Sequence, residues 1–280
     1  MERVVIVDNG STELREWLAK EARERSCELV LLDHNAGVAA AHNLGVARAR
    51  TLGADLLLLL DQDSLPAPGM VPALTNALLD LQRSGEPVGA VGPRHVDQKS
   101  RAESPFVRFG FLSTKHFYCG GDQKSGFIEC DHLITSGTLI PASVLDRIGG
   151  LDEGLFIDNV DTEWCFRAKS TGYKLFGVCS AHMLHAIGDS SVKIWLPLAD
   201  RVVVHRPPRL YYIVRNHVLL YGRRHTPGAW IVQDVPRLIF KFVVFATSVS
   251  PRFLNLIMMM KGLRDGIRGK TGPYGNPVGL

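Results

Sequence analysis

The sequence predicts an α/β fold, with a mostly parallel sheet flanked by helices and a helical C-terminal extension. Three observations carry that prediction. Strands read as continuous apolar runs, as in Val4-Val5-Ile6-Val7 and Leu56-Leu57-Leu58-Leu59-Leu60, the form expected when both faces of a sheet are buried. These runs alternate with amphipathic or Ala-rich helical stretches, the rhythm of βαβ units. Polar clusters follow the runs, where open α/β sheets place their ligand sites.

Taken in order, residues 4–7 form a β-branched strand and 12–25 an amphipathic helix capped by Ser11 or Thr12. A second strand spans 27–32, and 38–52 is an Ala-rich helix. The leucine run 56–60 is a strand that delivers Asp61 and Asp63, 66–84 is a helix, and 88–92 is a strand. Between 93 and 126 the periodicity fades into a long loop or irregular β region. Residues 131–141 read as a strand interrupted by the small-residue turn Thr135-Ser136-Gly137-Thr138, and 142–148 as a short helix ended by Gly149-Gly150. An acidic helix start and helix occupy 155–172, and 173–179 is a strand. Residues 211–221 have helical spacing, and 229–263 are apolar but interrupted by Asp234, Arg237, Lys241 and Arg252. The uninterrupted apolar stretches there fall short of the roughly 20 residues a spanning helix needs. The organisation expected is a catalytic-type domain over 1–205, a basic and apolar helical extension over 206–268, and a flexible tail over 269–280.

The 280 residues are 46% hydrophobic, which suits a globular chain. Five scattered cysteines with no CxxC pair argue against a disulfide scaffold or a zinc site, and for a reducing compartment. No signal peptide is legible at Met1-Glu2-Arg3. The net charge of +4 is unevenly spread: residues 201–280 hold 13 Lys or Arg against two acids, a net of +11, which leaves −7 for the first 200. Such a basic tail suits an anionic surface. No nucleic-acid-binding motif supports a nucleic-acid partner. No GxGxxG follows the first strand, which disfavours a dinucleotide dehydrogenase, and no glycine-rich basic loop supports the rival reading of a nucleotidyltransferase.

Asp61-Gln62-Asp63 is the sharpest local signal. Two carboxylates so close repel unless a cation sits beside them, and a divalent cation bridging a diphosphate answers that need. Asp8-Asn9-Gly10-Ser11 ends the first strand; a turn with a helix cap accounts for it, as does a carboxylate that holds a base or ribose. In the stretch from Asn35 to Gly45, Gly37 permits close backbone approach to a ligand and the alanines permit tight helix–sheet packing, while Asn35 and Asn43 are not needed for packing. Asp158, Asp161 and Glu163 put three carboxylates within six residues beside Trp164. Favourable helix-dipole charge explains one or two of them; three suggest a positioned general base. His185, with His182 as a rival, follows a strand and suits a manganese- or magnesium-type site with the two aspartates.

These clusters, in this order, resemble the inverting nucleotide-sugar glycosyltransferases of family 2, which have the GT-A fold. The matching residues lie in 4–11, 35–45, 56–64, 135–141, 149–167 and 185–190. The run Phe156-Ile157-Asp158-Asn159-Val160-Asp161-Thr162-Glu163-Trp164-Cys165-Phe166-Arg167 and the pair Arg215-Asn216 look most like bacterial rhamnosyltransferases. The resemblance implies a metal-dependent transferase that moves a sugar, rhamnose from dTDP-rhamnose, onto a saccharide or lipid-linked acceptor in cell-surface polysaccharide synthesis. It implies that Asp8, Asn35, Gly37, Asn43 and Asp61 bind the donor. Asp63, Asp61 and His185 would hold Mg²⁺ or Mn²⁺. Asp161 matches the family's catalytic base, with Val160 where the motif has Glu, so that Asp158 stays an alternative; Glu163 is grouped with them. Glu163, Trp164, Ser136 and Gly137 would shape the acceptor side. Family members begin with a further βα unit upstream of the position of Val4. The sheet is therefore expected to lack one strand and the donor pocket one wall, which keeps open a non-catalytic partner protein of the same fold. The expected location is cytoplasmic, peripheral at the inner face of a membrane with anionic lipid. The competing expectation is that the C-terminal helices pack on the body or on a second subunit.

Overall fold

A computed structural model describes residues 3–97, 102–120, 126–185, 191–196 and 199–275, with backbone only at 185, 191–196 and 199–203. The first units are β1 (Val5–Asp8), α1 (Arg15–Glu24), β2 (Glu28–Leu31) and α2 (Val38–Thr51). Then come β3 (Leu56–Leu58), β4 (Ser64–Pro66), α3 (Met70–Arg83) and β5 (Val88–Asp97). A hairpin of β6 (Phe106–Phe109) and β7 (Thr114–Phe117) precedes β8 (Phe127–Cys130) and β9 (Leu139–Pro141). The helices α4 (Ala142–Ile148) and α5 (Val160–Ser170) lead to β10 (Lys174–His185), and a hairpin of β11 (Ser191–Leu196) and β12 (Ala199–Val203) follows. Three helices end the described chain: α6 (Pro207–Tyr221), α7 (Gly228–Thr247) and α8 (Arg252–Ile267).

The α/β architecture is the expected one, but its sheet is mixed rather than mostly parallel. The main sheet runs β3-β9-β5-β10-β4, with β8 also on β10. Within it β5 and β10 are parallel, whereas β9 is antiparallel to β3 and β5, and β4 and β8 are antiparallel to β10. The connection explains this. Among the described residues no helix crosses over between β5 and β9; the chain passes through β6, β7 and β8 and enters β9 from the other end, which antiparallel pairing permits. β1 and β2 form a separate parallel pair, not hydrogen-bonded to β3 among the described residues.

Helices cover both faces of the main sheet. On one, Met70, Leu74 and Leu78 of α3 pack on Val91, Phe176 and Val178. On the other, Leu145 of α4 and Trp164, Phe166 and Ala168 of α5 pack with Leu57, Ala90 and Leu175. Two expected strands are shorter than read. The leucine strand stops at Leu58, and only Leu139–Pro141 of 131–141 is strand. Thr138 donates its hydroxyl to the Ile134 carbonyl at 2.6 Å and Gly137 sits at φ +86°, which makes a turn of the segment between.

The extension packs on the body. Tyr212 of α6 stacks on Phe156 at 5.1 Å, and Trp230 of α7 meets Phe166 edge-on at 5.3 Å. α8 lies against α6 because it presents Gly262 and Gly266: a Cβ at 262 would come within 2.4 Å of the Tyr211 carbonyl oxygen, and one at 266 within 2.9 Å of that of Arg215. Among the described residues no helix is long and apolar enough to cross a membrane.

One expectation about the cysteines is overturned. Cys119, after the β6–β7 hairpin, and Cys179, within β10, form a disulfide across 60 residues. Tertiary proximity of the hairpin to β10, invisible in the spacing, brings them together.

Candidate active site

The Asp61–Asp63 turn is built from below by the segment between β8 and β9. The Leu59 amide donates to the Thr138 carbonyl at 3.0 Å, and the Gly137 amide to the Leu59 carbonyl at 2.7 Å. The Asp61 amide donates to Ser136 Oγ at 3.0 Å, and Ser136 Oγ donates to Ser64 Oγ at 2.7 Å. Ser136 is fully buried, and a side chain at 137 would collide with Pro93 and Met183. Ser136 and Gly137, expected on the acceptor side, therefore form an internal bracket for the turn. Their hydrogen bonds have no room for a substrate.

Asp61 is about one-third exposed, with His42 Nε2 3.5 Å from its Oδ1. Asp63 is exposed and has no partner among the described residues. β4 and β10 pair with His185 opposite Ser64, so the expected third ligand lies beside the turn along the backbone. Its side chain falls outside the described residues, as do residues 186–190. Among the described residues no group of three ligand-type side chains is already gathered. The donor set nonetheless fits a hard divalent cation: two carboxylates one residue apart, one of them uncommitted.

The nucleotide-side residues lie at the ends of β1 and β2. Asp8 is 5% exposed; its Oδ1 accepts from the Ser11 amide at 3.3 Å, Arg15 Nε is 3.9 Å from Oδ2, and Oδ2 has no hydrogen-bond partner. Asn9 Nδ2 donates to Asn35 Oδ1 at 3.0 Å, the Ala36 amide to Asn9 Oδ1 at 2.8 Å, and the Gly37 amide to Asn35 Oδ1 at 2.9 Å. Asn35 thus joins two loops. The close approach that Gly37 permits is to Phe156: a Cβ there would meet the Phe156 carbonyl oxygen at 2.6 Å. Asn43 is likewise committed. It donates to the Leu151 carbonyl and to Glu153 and accepts from the Leu151 amide, all within 2.9 Å, so it latches α2 to the segment before α5 rather than reaching a donor.

The three carboxylates around the start of α5 separate into two paired with arginines and one that is not. Asp158 is held by both Nε and Nη2 of Arg209, at 3.0–3.2 Å. Glu163, 1% exposed, is ringed by Arg167 at 2.9 Å and by Arg223 and His225 at 3.0 Å. A buried carboxylate so paired is a structural charge, which removes Glu163 from the catalytic set and leaves Asp158 no free oxygen. Trp164 is core, 2% exposed, with its indole nitrogen donating to the Gly149 carbonyl. It walls the site from beneath and presents no face to an acceptor.

Asp161 remains. Its carboxylate lines a small cavity with Leu59, Thr135, Thr138 and Trp164, so it shares walls with the bracket under Asp61. Oδ1 accepts from the Thr162 amide at 2.7 Å, and Oδ2 lies 3.6 Å from His132 Nε2. Burial acts to raise the Asp161 carboxyl, but the nearby His132 imidazole, with the hydrogen bonds from Thr162, outweighs it and holds it below the ordinary carboxylate range. The residue that the sequence reading missed is His132. It directly follows a strand, as the other polar clusters do, but reading 131–141 as one strand concealed that position.

What places Asp161 is a clamp from α6. Arg215 and Asn216 are both fully buried. Asn216 Nδ2 lies 2.6–3.0 Å from the carbonyls of Leu155, Ile157 and Asp158. Arg215 donates to the carbonyls of Leu155 and Gly154, at 2.8 and 3.3 Å, and to that of Gly272. The held segment carries three non-glycine residues at positive φ: Phe156 (66°), Asp158 (62°) and Asn159 (60°). Such residues persist only where surroundings over-determine them.

A mixed α/β sheet with paired carboxylates at a strand end and an ionised carboxylate across a cavity is the frame of a sugar-nucleotide transferase, and comparison agrees. Residues 2–149 match the family model described as Glycosyl transferase family 2, and the chain belongs to that family. Over 276 residues it is 31% identical to the dTDP-rhamnosyl transferase RfbF of Shigella flexneri, covering 96% of this chain and 87% of that one. Among solved structures it resembles GalNAc-T7, crystallised with UDP, GalNAc and Mn²⁺ (TM-score 0.57, 13% identity), and S. aureus TarS (TM-score 0.52, 13% identity). Each alignment covers 95% of this chain but only 50% and 43% of the two structures, so that likeness concerns the GT-A fold alone.

The clamp generates a measurable expectation. Asn216→Ala strands buried carbonyls, which costs about 1–3 kcal/mol, and should lower the urea midpoint accordingly. A midpoint equal to that of the unaltered protein would show that the 154–159 segment keeps its shape without Asn216.

Proposed function

We propose that this chain is an inverting rhamnosyltransferase that uses dTDP-rhamnose and a saccharide or lipid-linked acceptor in cell-surface polysaccharide synthesis. The observation that carries the reading is Asp161: of the three clustered carboxylates it alone has no arginine partner, it is held below the ordinary carboxylate range, and it shares walls with the bracket under Asp61. The donor is inferred from the similarity to RfbF, whose name specifies dTDP-rhamnosyl transfer.

In this mechanism Asp161 Oδ2 takes the proton of the acceptor hydroxyl as that oxygen attacks the anomeric carbon. The new C–O bond forms on the face opposite the nucleotide, and the bond to the diphosphate oxygen breaks with its electron pair leaving on that oxygen. A divalent cation, Mg²⁺ or Mn²⁺, held by Asp61 and Asp63 would supply positive charge for the leaving diphosphate. Asp8 and Asn35 would face the nucleoside, with the one unpartnered oxygen of Asp8 offered to a donor N–H or O–H. A positioned base contributes about 10²–10⁴ in rate.

Attachment to a membrane surface is supported by the outward faces of α7 and α8. Val232, Ile239 and Val243 on one helix, and Phe253, Leu256, Met260 and Ile267 on the other, recur at helical spacing and are 38–76% exposed. The two acids of this region, Asp234 and Asp265, are 7% and 3% exposed and internally paired. The charge left outside is cationic, and anionic lipid attracts each nearby Lys or Arg by about 1 kcal/mol.

Three measurements test these assignments. Asp161→Asn should keep donor affinity while dTDP release falls by about 10²–10⁴; near-normal turnover would rule out the base. Asp63→Ala should weaken Mn²⁺-dependent binding of dTDP-rhamnose in calorimetry, and an unaltered metal titration would remove that ligand. In flotation, the protein should rise with liposomes containing phosphatidylserine and stay behind with phosphatidylcholine alone; equal behaviour with both would dismiss the electrostatic attachment.

A further inference from the structure

Asp161 has a neighbour to which the proposed transfer gives no task. His132 stands on the segment between β8 and β9, and its Nε2 is 3.6 Å from Asp161 Oδ2, with the two side chains 23% and 25% exposed. The other oxygen, Oδ1, is taken by the amide of Thr162 at 2.7 Å and its hydroxyl at 3.4 Å. The oxygen left to receive a proton is therefore the one that faces the imidazole. We propose that His132 is a positioning residue for the general base: its imidazole holds the one carboxylate oxygen that Thr162 leaves open and, when charged, favours the carboxylate form there. This rests on the reading of Asp161 as base.

The surroundings leave that task to His132. On α5, Glu163 is already ringed by Arg167, Arg223 and His225, and the Cys165 thiol is pushed far up by burial and so is neutral. Before α5, Asp158 is paired with Arg209. On the segment that carries His132, Asp131 is paired with Lys169, and burial pushes the Cys130 thiol up to about 12, so it too is neutral. Leu59, just past β3, and Leu151, between α4 and α5, present apolar walls to the cavity. The titratable nitrogen that faces Oδ2 among the described residues is that of His132. An imidazole carries charge in the acidic range where carboxylates titrate, and an opposite charge within about 4–6 Å lowers a carboxyl by about 1–3 pH units.

The test follows the Asp161 carboxyl directly. Protein labelled with ¹³C at aspartate carboxyls is titrated by NMR, with the Asp161 resonance assigned from its loss in Asp161→Asn. His132→Gln should move the Asp161 midpoint upward by about one pH unit or more, and the acid limb of dTDP release from dTDP-rhamnose should move the same way. An unmoved midpoint in a variant with wild-type dispersion of its other resonances overturns the proposal. In the unaltered protein the Asp161 resonance should show a second inflection as the neighbouring ring titrates, and a single inflection overturns the proposal without recourse to any variant. Failure of the base itself is separate: turnover by Asp161→Asn would remove the base and leave the pairing intact.

Discussion

The buried Arg215–Asn216 pair is the constraint on which the site depends. Three residues at positive φ within 156–159 form a backbone that isolated chain would abandon, since each such residue costs of order 1–3 kcal/mol. The pair answers with hydrogen bonds to five carbonyls, those of Gly154, Leu155, Ile157, Asp158 and Gly272. The same segment receives the Val38 amide at Phe156 and stacks Phe156 on Tyr212. One loop thereby fixes the start of α2, the start of α5 and the seat of α6. Asp161 lies in the first turn of α5, so its position is set by residues more than fifty positions away in the chain.

Electrostatics then decides which carboxylates work. Burial pushes carboxyl groups toward the neutral form, and a buried acid stays charged only beside a cation. Glu163 has Arg167 and Arg223; Asp158 has Arg209. Asp234 follows the same rule within the extension: burial would raise it, but hydrogen bonds from His217 and Tyr221 hold it below the ordinary carboxylate range. Asp63 is exposed, and Asp161 has no arginine partner. Charges committed to the fold are thus distinguished from the others by their partners.

The extension serves the site and offers a surface of its own. Its inner side supplies the clamp, Arg209, Arg223 and Trp230. α8 can lie on α6 because Gly262 and Gly266 have no side chain to strike the α6 backbone. Its outer side alternates apolar and basic residues with both acids turned inward. Of the competing expectation, packing on the body or on a second subunit, the first describes the inner side of these helices.

Sequence alone determined the class of fold and the positions of Asp8, Asn35, Asp61, Asp63 and Asp161 at the ends of strands or the start of a helix, because apolar runs and turn residues act over short range. It could not reveal the mixed sheet, since strand direction depends on how β9 enters between β3 and β5. Nor could it show the Cys119–Cys179 bridge or the His132–Asp161 contact, which join residues 60 and 29 positions apart. Asn43, Ser136, Gly137, Glu163 and Trp164 looked like site residues because their types suit ligands; the structure commits their polar atoms and surfaces to the fold. Tertiary structure alone decided which of the three carboxylates beside Trp164 lacks an arginine partner, because the cations that pair with the other two arrive largely from α6 and the turn after it, and a charge's protonation and reach depend on what lies beside it in space.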